Sequence, residues 1–267
     1  MAVTITVLSQ KGGTGKTTTV RTLADAYRRS GLEVLCVDLD PQGNLSDYFD
    51  VPPDASPTVA ELLAGQARAA DAVIADILPA NLGLAEAELV LGGKMGRELT
   101  LKRGLRDIKR GYDLVLVDCP PSLGLLTVNA LVAADHALIT SEAEYFSLQG
   151  VEQALEVVEL ARESLHPDLD WLGVVLNIAD MRLVHSREAL KSLRERFGQK
   201  VFDTVIRRSV RYAESAERGV SILDYAPDLG ADYLALAGET LARLGGFEEA
   251  RERLSAAAGS SAIASSS

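Results

Sequence analysis

Cysteine is scarce in this 267-residue sequence: only Cys36 and Cys119 occur, each inside an apolar run of strand character. Two such isolated thiols exclude a disulfide framework and suit reduced core positions in a cytoplasmic protein. No apolar run approaches the roughly 20 residues a helix needs to cross a bilayer. A basic stretch leading into a signal-like apolar segment is also missing, because Met1 runs directly into the alternating residues of a strand. Positive charge is in deficit. With 27 Lys/Arg against 38 Asp/Glu the net charge is −11, which argues against wholesale coating of nucleic acid. No internal repeat is found.

What is present is ample core material, 47% hydrophobic residues, in short apolar runs alternating with longer segments of helical period. That alternation implies an α/β fold, a mostly parallel twisted sheet with helices on both faces. Strands are expected at 3–8, 33–37, 114–117, 136–140, 171–176 and 201–205. Helices are expected at 17–30, where Val20, Leu23, Ala24 and Tyr27 share a face, and at 148–164, 186–197 and 232–244. Between 51 and 110 only a short helix at 58–63 stands out. One domain over 1–255 is the economical division. The Ala/Ser-rich segment 256–267, without aromatics or charge, is expected to be disordered.

Immediately after the first strand comes Gln10-Lys-Gly-Gly-Thr-Gly-Lys-Thr-Thr18. Gly12, Gly13 and Gly15 let backbone N–H groups converge on phosphate oxygens without Cβ clashes, and the following helix N-terminus adds its dipole. Lys16 is placed to reach the β- and γ-phosphates, Thr17 to ligate Mg²⁺, and Thr18 to add one more hydroxyl. A bare Gly-rich turn is the bland alternative, and the strand-then-helix context disfavours it. Gln10 stands where the usual pattern has glycine, and a second lysine, Lys11, lies within the loop. A flexible cation there adds no core contact, so it reads as a second phosphate contact, one that can be aimed across a dimer interface.

Two further strand ends carry acids. Asp38 and Asp40 close the run Val34–Val37, and Asp118 closes Leu114–Val117, all at carboxyl ends where parallel sheets bind ligands. Alone, each acid reads equally well as a turn former. Beside a phosphate loop, Asp38 and Asp118 read as Mg²⁺-shell residues and Asp40 as the group orienting an attacking water. Charge is also uneven along the chain: residues 182–218 hold ten Lys/Arg and five Asp/Glu, a local excess of positive charge on an acidic protein.

These segments together resemble the ParA/MinD family of deviant Walker A P-loop ATPases, in particular its short chromosomal, Soj-like ParA members. The resemblance rests on 10–18, on Val37-Asp-Leu-Asp-Pro-Gln-Gly-Asn44, on Asp118-Cys-Pro-Pro-Ser-Leu-Gly124, on Glu144-Tyr-Phe-Ser-Leu-Gln-Gly150 and on 205–227, and it spans roughly residues 3–245. It implies ATP and Mg²⁺ as ligands and an ATP-dependent homodimer in which Lys11 contacts the partner's nucleotide. It also implies sequence-independent binding of double-stranded DNA and slow hydrolysis stimulated by a ParB-like centromere-binding protein. By position it implies Asn177 near the adenine and Arg182 and Arg211 at DNA, with Arg208 a nearby candidate; the local basic excess agrees. Arg187, Lys191 and Arg194 read better as a solvated helical face. Thr14 replaces the usual Val. Arg207 replaces the usual proline, which leaves adenine packing open there.

Three relatives of other function are disfavoured. A MinD-like membrane-associated ATPase needs a basic amphipathic C-terminal helix with bulky apolar residues, whereas here Glu248-Glu-Ala-Arg-Glu-Arg-Leu254 precedes the Ala/Ser segment. An iron–sulfur protein needs exposed cysteines in glycine-rich loops. A tyrosine-kinase relative needs a C-terminal tyrosine cluster, and the last tyrosine is Tyr233. With few residues before the loop, no operator-specific repressor activity is expected. A nucleoid-associated, cytoplasmic location without membrane binding completes the expectation. Chromosome, plasmid and protein cargo all remain open.

Overall fold

A computed structural model describes residues 2–144 and 147–264. Seven strands form one sheet: β1 (Val3–Leu8), β2 (Val34–Asp38), β3 (Ile77–Leu78), β4 (Leu114–Asp118), β5 (His136–Glu142), β6 (Asp170–Ala179) and β7 (Val201–Arg207). Their order is β3-β2-β4-β1-β5-β6-β7, and every pairing is parallel. Between them run α1 (Lys16–Arg29), α2 (Asn44–Tyr48), α3 (Val59–Ala64), α4 (Ala69–Ala72), α5 (Gly83–Gly92), α6 (Thr100–Leu105) and α7 (Leu125–Ala133). The second half adds α8 (Ser147–Ser164), α9 (Val184–Phe197), α10 (Arg211–Glu217), α11 (Ile222–Tyr225), α12 (Pro227–Leu244) and α13 (Glu248–Ala264).

β2 and β4 read as unbroken apolar runs up to their final Asp because both their faces are covered. Side chains alternate across the sheet: Leu35, Val37, Val115 and Val117 enter one core with residues of α3 to α8, while Val34, Cys36, Leu114 and Leu116 enter the other with α1, α12 and α13. Local chemistry sets several boundaries. Thr58 and Glu61 form a reciprocal capping box at the start of α3, and Pro227 occupies the first turn of α12.

The strip 51–110 contains the edge strand β3, too short for a periodicity to register. The last helix, α13, runs from Glu248 to Ala264 and so takes in residues 256–264 of the Ala/Ser-rich segment. Alanine is the strongest helix former, and Ala250 and Leu254 are buried against the sheet's second core. Arg253 Nη1 donates to the Ser30 carbonyl at 2.9 Å, fastening α13 to the end of α1. Ser265–Ser267 lie outside the described residues, as do Tyr145 and Phe146 of the 144–150 match.

The chain leaves β1 for β2 on one side and crosses from β4 to β5 on the other. A crevice therefore opens at the carboxyl end of β1, the topological switch point where such sheets bind ligands.

Candidate nucleotide site

That crevice is a cavity of about 850 Å³ lined by Gly12, Gly13, Gly15, Lys16, Thr17 and Thr18 at one end. Ile178, Ile206, Arg207, Arg208, Val210 and Tyr212 line the other end. The loop is fastened from below. Ser9 Oγ donates to the Lys11 carbonyl at 2.7 Å, lies 2.8 Å from Thr14 Oγ1, and Thr14 in turn lies 3.0 Å from Thr140 Oγ1 on β5. Thr14 is thus an anchor with a buried hydroxyl, a role the usual Val could not fill.

Gly13 and Gly15 sit at φ of 79° and 81°, which favours glycine, and a Cβ on Gly15 would come 2.9 Å from Asn177 Nδ2. Asn177 donates from Nδ2 to the Thr14 carbonyl at 3.0 Å and to Thr19 Oγ1 at 3.1 Å. Its side chain therefore shapes the loop, while the residue also lines the cavity.

Lys16 Nζ is buried and donates to Ser9 Oγ and the Lys11 carbonyl at 3.3 and 3.1 Å. Burial lowers its proton affinity, opposed by the nearby Asp118. These are neutral partners, which anionic phosphate oxygens readily replace. Lys11 lies outside the cavity lining, half-exposed, with its Nζ 3.7 Å from Glu144.

The acids divide into two kinds. Asp40 lines the cavity and accepts the Gln42 N–H at 3.0 Å. Asp38 and Asp118 are register partners on β2 and β4, both fully buried behind it. Asp38 accepts from Asp40 N (3.0 Å), Ser46 N (2.9 Å) and Ser46 Oγ (2.8 Å), so its oxygens organise the loop that carries Asp40. Burial pushes its carboxyl up to about 6 despite these bonds. Asp118 Oδ2 accepts the Thr17 hydroxyl at 2.6 Å, but Oδ1 has no partner among the described residues. Burial, reinforced by Asp38, raises the Asp118 carboxyl well above its ordinary value.

Such a frustrated acid beside a hydroxyl fits Mg²⁺ and its bound waters. Among the described residues no cluster of three or more His, Cys, Asp or Glu could hold a metal by itself. The ion would rest on Thr17 and phosphate oxygens with Asp118 behind them, the usual arrangement for Mg²⁺ in phosphoryl-transfer sites.

Of the three arginines assigned to DNA, Arg208 lines the cavity, with its N–H on the Ala179 carbonyl at 3.1 Å. Arg182 forms a two-pronged pair with Asp180 at 2.8 and 2.7 Å, and Arg211 meets Asp228 at 3.1 Å. Arg207, in the usual proline position, bonds Asp232 at 2.8 Å and the Asp228 carbonyl. Its guanidinium is tied to α12. Sequence reading missed Ser9, Ser46 and Thr140, whose hydroxyls act only through folded contacts.

An AAA-domain family model (AAA_31) matches residues 2–171. The sporulation initiation inhibitor protein Soj of Bacillus subtilis is 39% identical, over 91% of this chain and 99% of that protein. The chromosome partitioning protein ParA of Caulobacter vibrioides is 38% identical, over 90% and 94%. A solved structure described as cobyrinic acid a,c-diamide synthase from Mycobacterium smegmatis, with bound ADP and magnesium, is 37% identical. It has a TM-score of 0.75 and covers 81% of this chain and 93% of its own. The septum site-determining protein MinD of Pyrococcus horikoshii, complexed with Mg-ADP, is 26% identical, with a TM-score of 0.74 and coverage of 90% and 96%. The fold and site define a P-loop ATPase. The chain belongs to the ParA/MinD family of such ATPases.

Proposed function

We propose that this protein is a ParA-like partition or positioning ATPase. It binds MgATP at the mouth of β1, dimerises on it, holds double-stranded DNA without sequence preference, and lets go after partner-stimulated hydrolysis. A nucleoid-associated cytoplasmic protein is the consequence, with a ParB-like protein as the stimulating partner and a chromosome, plasmid or protein assembly as cargo. The observation that carries the reading is the convergence of Gly12, Gly13, Gly15, Lys16, Thr17, Thr18 and Asp40 on one cavity, with Thr17 hydrogen-bonded to a buried, half-satisfied Asp118.

Backbone N–H groups of the loop and the start of α1 receive the phosphates, and Lys16 exchanges two neutral acceptors for charged ones. Mg²⁺, when bound, neutralises charge on the β- and γ-phosphates and orients them. Asp40, fixed by its bond to Gln42 N, orients the attacking water and accepts its proton. Asp38 holds the Asp40 loop through Ser46. Lys11, which lies outside the lining of its own cavity, serves the nucleotide of a second copy.

The MinD-like membrane reading draws no support from α13, whose Ala250 and Leu254 face the protein body. Among the described residues no helix is long and apolar enough to cross a membrane.

Retention on DNA with ADP, ATP and a non-hydrolysable analogue, across a salt series, tests the reading. ATP-specific, salt-sensitive retention is expected. Binding to liposomes in place of DNA would favour the membrane relative.

A further inference from the structure

Arg21 is 3% exposed in α1, one turn beyond Thr17, and lines the nucleotide cavity. Burying a guanidinium is costly unless its donors are used. Here Nη2 donates to Ser215 Oγ at 2.7 Å, and that fully buried hydroxyl donates onward to the Tyr212 carbonyl at 2.9 Å. Arg21 Cζ also lies 4.1 Å from the centre of the Tyr48 ring in α2, and Tyr48 donates to Asp25 at 2.7 Å. One side chain of α1 therefore reaches both α2 and α10, each of which lines the cavity.

α10 is tied to α11 and α12 by other bonds, Tyr225 donating to Glu214 at 2.9 Å and Arg211 meeting Asp228 at 3.1 Å, while the Arg21–Ser215 bond ties it to α1. The helix is seven residues long, Ser215 is its buried member, and the preceding Val210 is 74% exposed. Tyr212 packs edge-on against Tyr233 of α12 at 5.9 Å. α10 and its approach supply Val210, Tyr212, Ala213, Ala216 and Glu217 to the cavity wall.

We propose that Arg21 is a positioning residue: through Ser215 it holds α10 against the P-loop helix and so builds the wall that receives the nucleoside half of the nucleotide. This rests on the nucleotide reading above. The phosphate end is formed by the glycine loop, which Arg21 does not hold, so loss of Arg21 should separate the two halves of the ligand.

Calorimetric titration of the full chain with MgATP and with magnesium tripolyphosphate tests this in the wild type, Arg21→Met, Arg21→Lys and Ser215→Ala. Methionine replaces the stem without leaving a buried charge. Arg21→Met should weaken ATP about tenfold and Ser215→Ala by a smaller factor, with tripolyphosphate unchanged. Arg21→Lys should resemble Arg21→Met, because an ammonium lacks the planar fork. Unchanged ATP affinity in both Arg21→Met and Ser215→Ala overturns the proposal. So does an equal loss for ATP and tripolyphosphate, which makes Arg21 a phosphate contact, or full rescue by lysine. If Arg21→Met does not fold, Ser215→Ala decides by the same criteria. A wild type that takes up neither ligand removes the nucleotide reading itself, and this inference with it.

Discussion

The two charged edges of the sheet are built on opposite terms. At β1, β2 and β4 the charges are buried and under-satisfied: Lys16 rests on neutral oxygens, and Asp118 keeps an oxygen without a partner among the described residues. At β6 and β7 the charges are more exposed, and Arg182, Arg207 and Arg211 each face a carboxylate of Asp180, Asp232 or Asp228. The first edge gains by taking up a charged ligand. To hold DNA as proposed, the second would have to exchange existing ion pairs for phosphate contacts; its local excess of five positive charges falls to two once those three acids are included. Charge counted along a chain measures a surface poorly when its partners come from outside the window.

The contrast can be broken most sharply at the buried edge. Lys16→Ala should lower ATP turnover by about 10²–10³-fold or more, read as phosphate release. Asp40→Ala should lose about 10²–10⁴-fold in turnover while still binding ATP. Light scattering should then show a long-lived dimer.

At the exposed edge the effects are smaller and salt-dependent. Arg182→Ala with Arg211→Ala should flatten the log–log salt dependence of DNA retention by about 2 units. Asp180→Asn with Asp228→Asn should strengthen retention, by freeing both guanidinium groups. If the asparagine pair changes nothing, these ion pairs do not limit the DNA surface.

The last two effects are on stability. Asp118→Asn should raise the melting temperature of the nucleotide-free protein by about 2–6 °C while removing the Mg²⁺ dependence of ATP binding. Asp38 titrates near 6 when folded and near 3.9 when unfolded. The native state therefore holds the extra proton between these values, and stability falls as pH rises through that window. This stabilising contribution is complete below about pH 4 and gone above about pH 6, roughly 2–3 kcal/mol in all. Denaturation midpoints of wild type and Asp38→Asn should diverge in that interval.

Much of the buried edge was legible because its residues end their strands or follow them directly: the glycine loop after β1, Asp38 closing β2 with Asp40 just beyond it, and Asp118 closing β4. The supporting hydroxyls were not, since Ser46 and Thr140 act across gaps of 8 and 126 residues. Helix α7 escaped notice for a different reason. Its sequence, Leu-Leu-Thr-Val-Asn-Ala-Leu-Val-Ala, is apolar all round because it is buried between neighbours, so no 3.6-residue stripe exists to find. β3, two residues long, offers no period at all.

The run of hydroxyls from Ser9 through Thr14 to Thr140 ties the glycine loop to β5 without help from a ligand. A receptor moulded in advance incurs little ordering entropy when its guest arrives. Capture of the triphosphate should then resemble docking more than coupled folding, and the heat-capacity change on uptake by one subunit should be small. A large negative heat-capacity change at higher protein concentration would belong to a later event, the burial of one subunit's face against another.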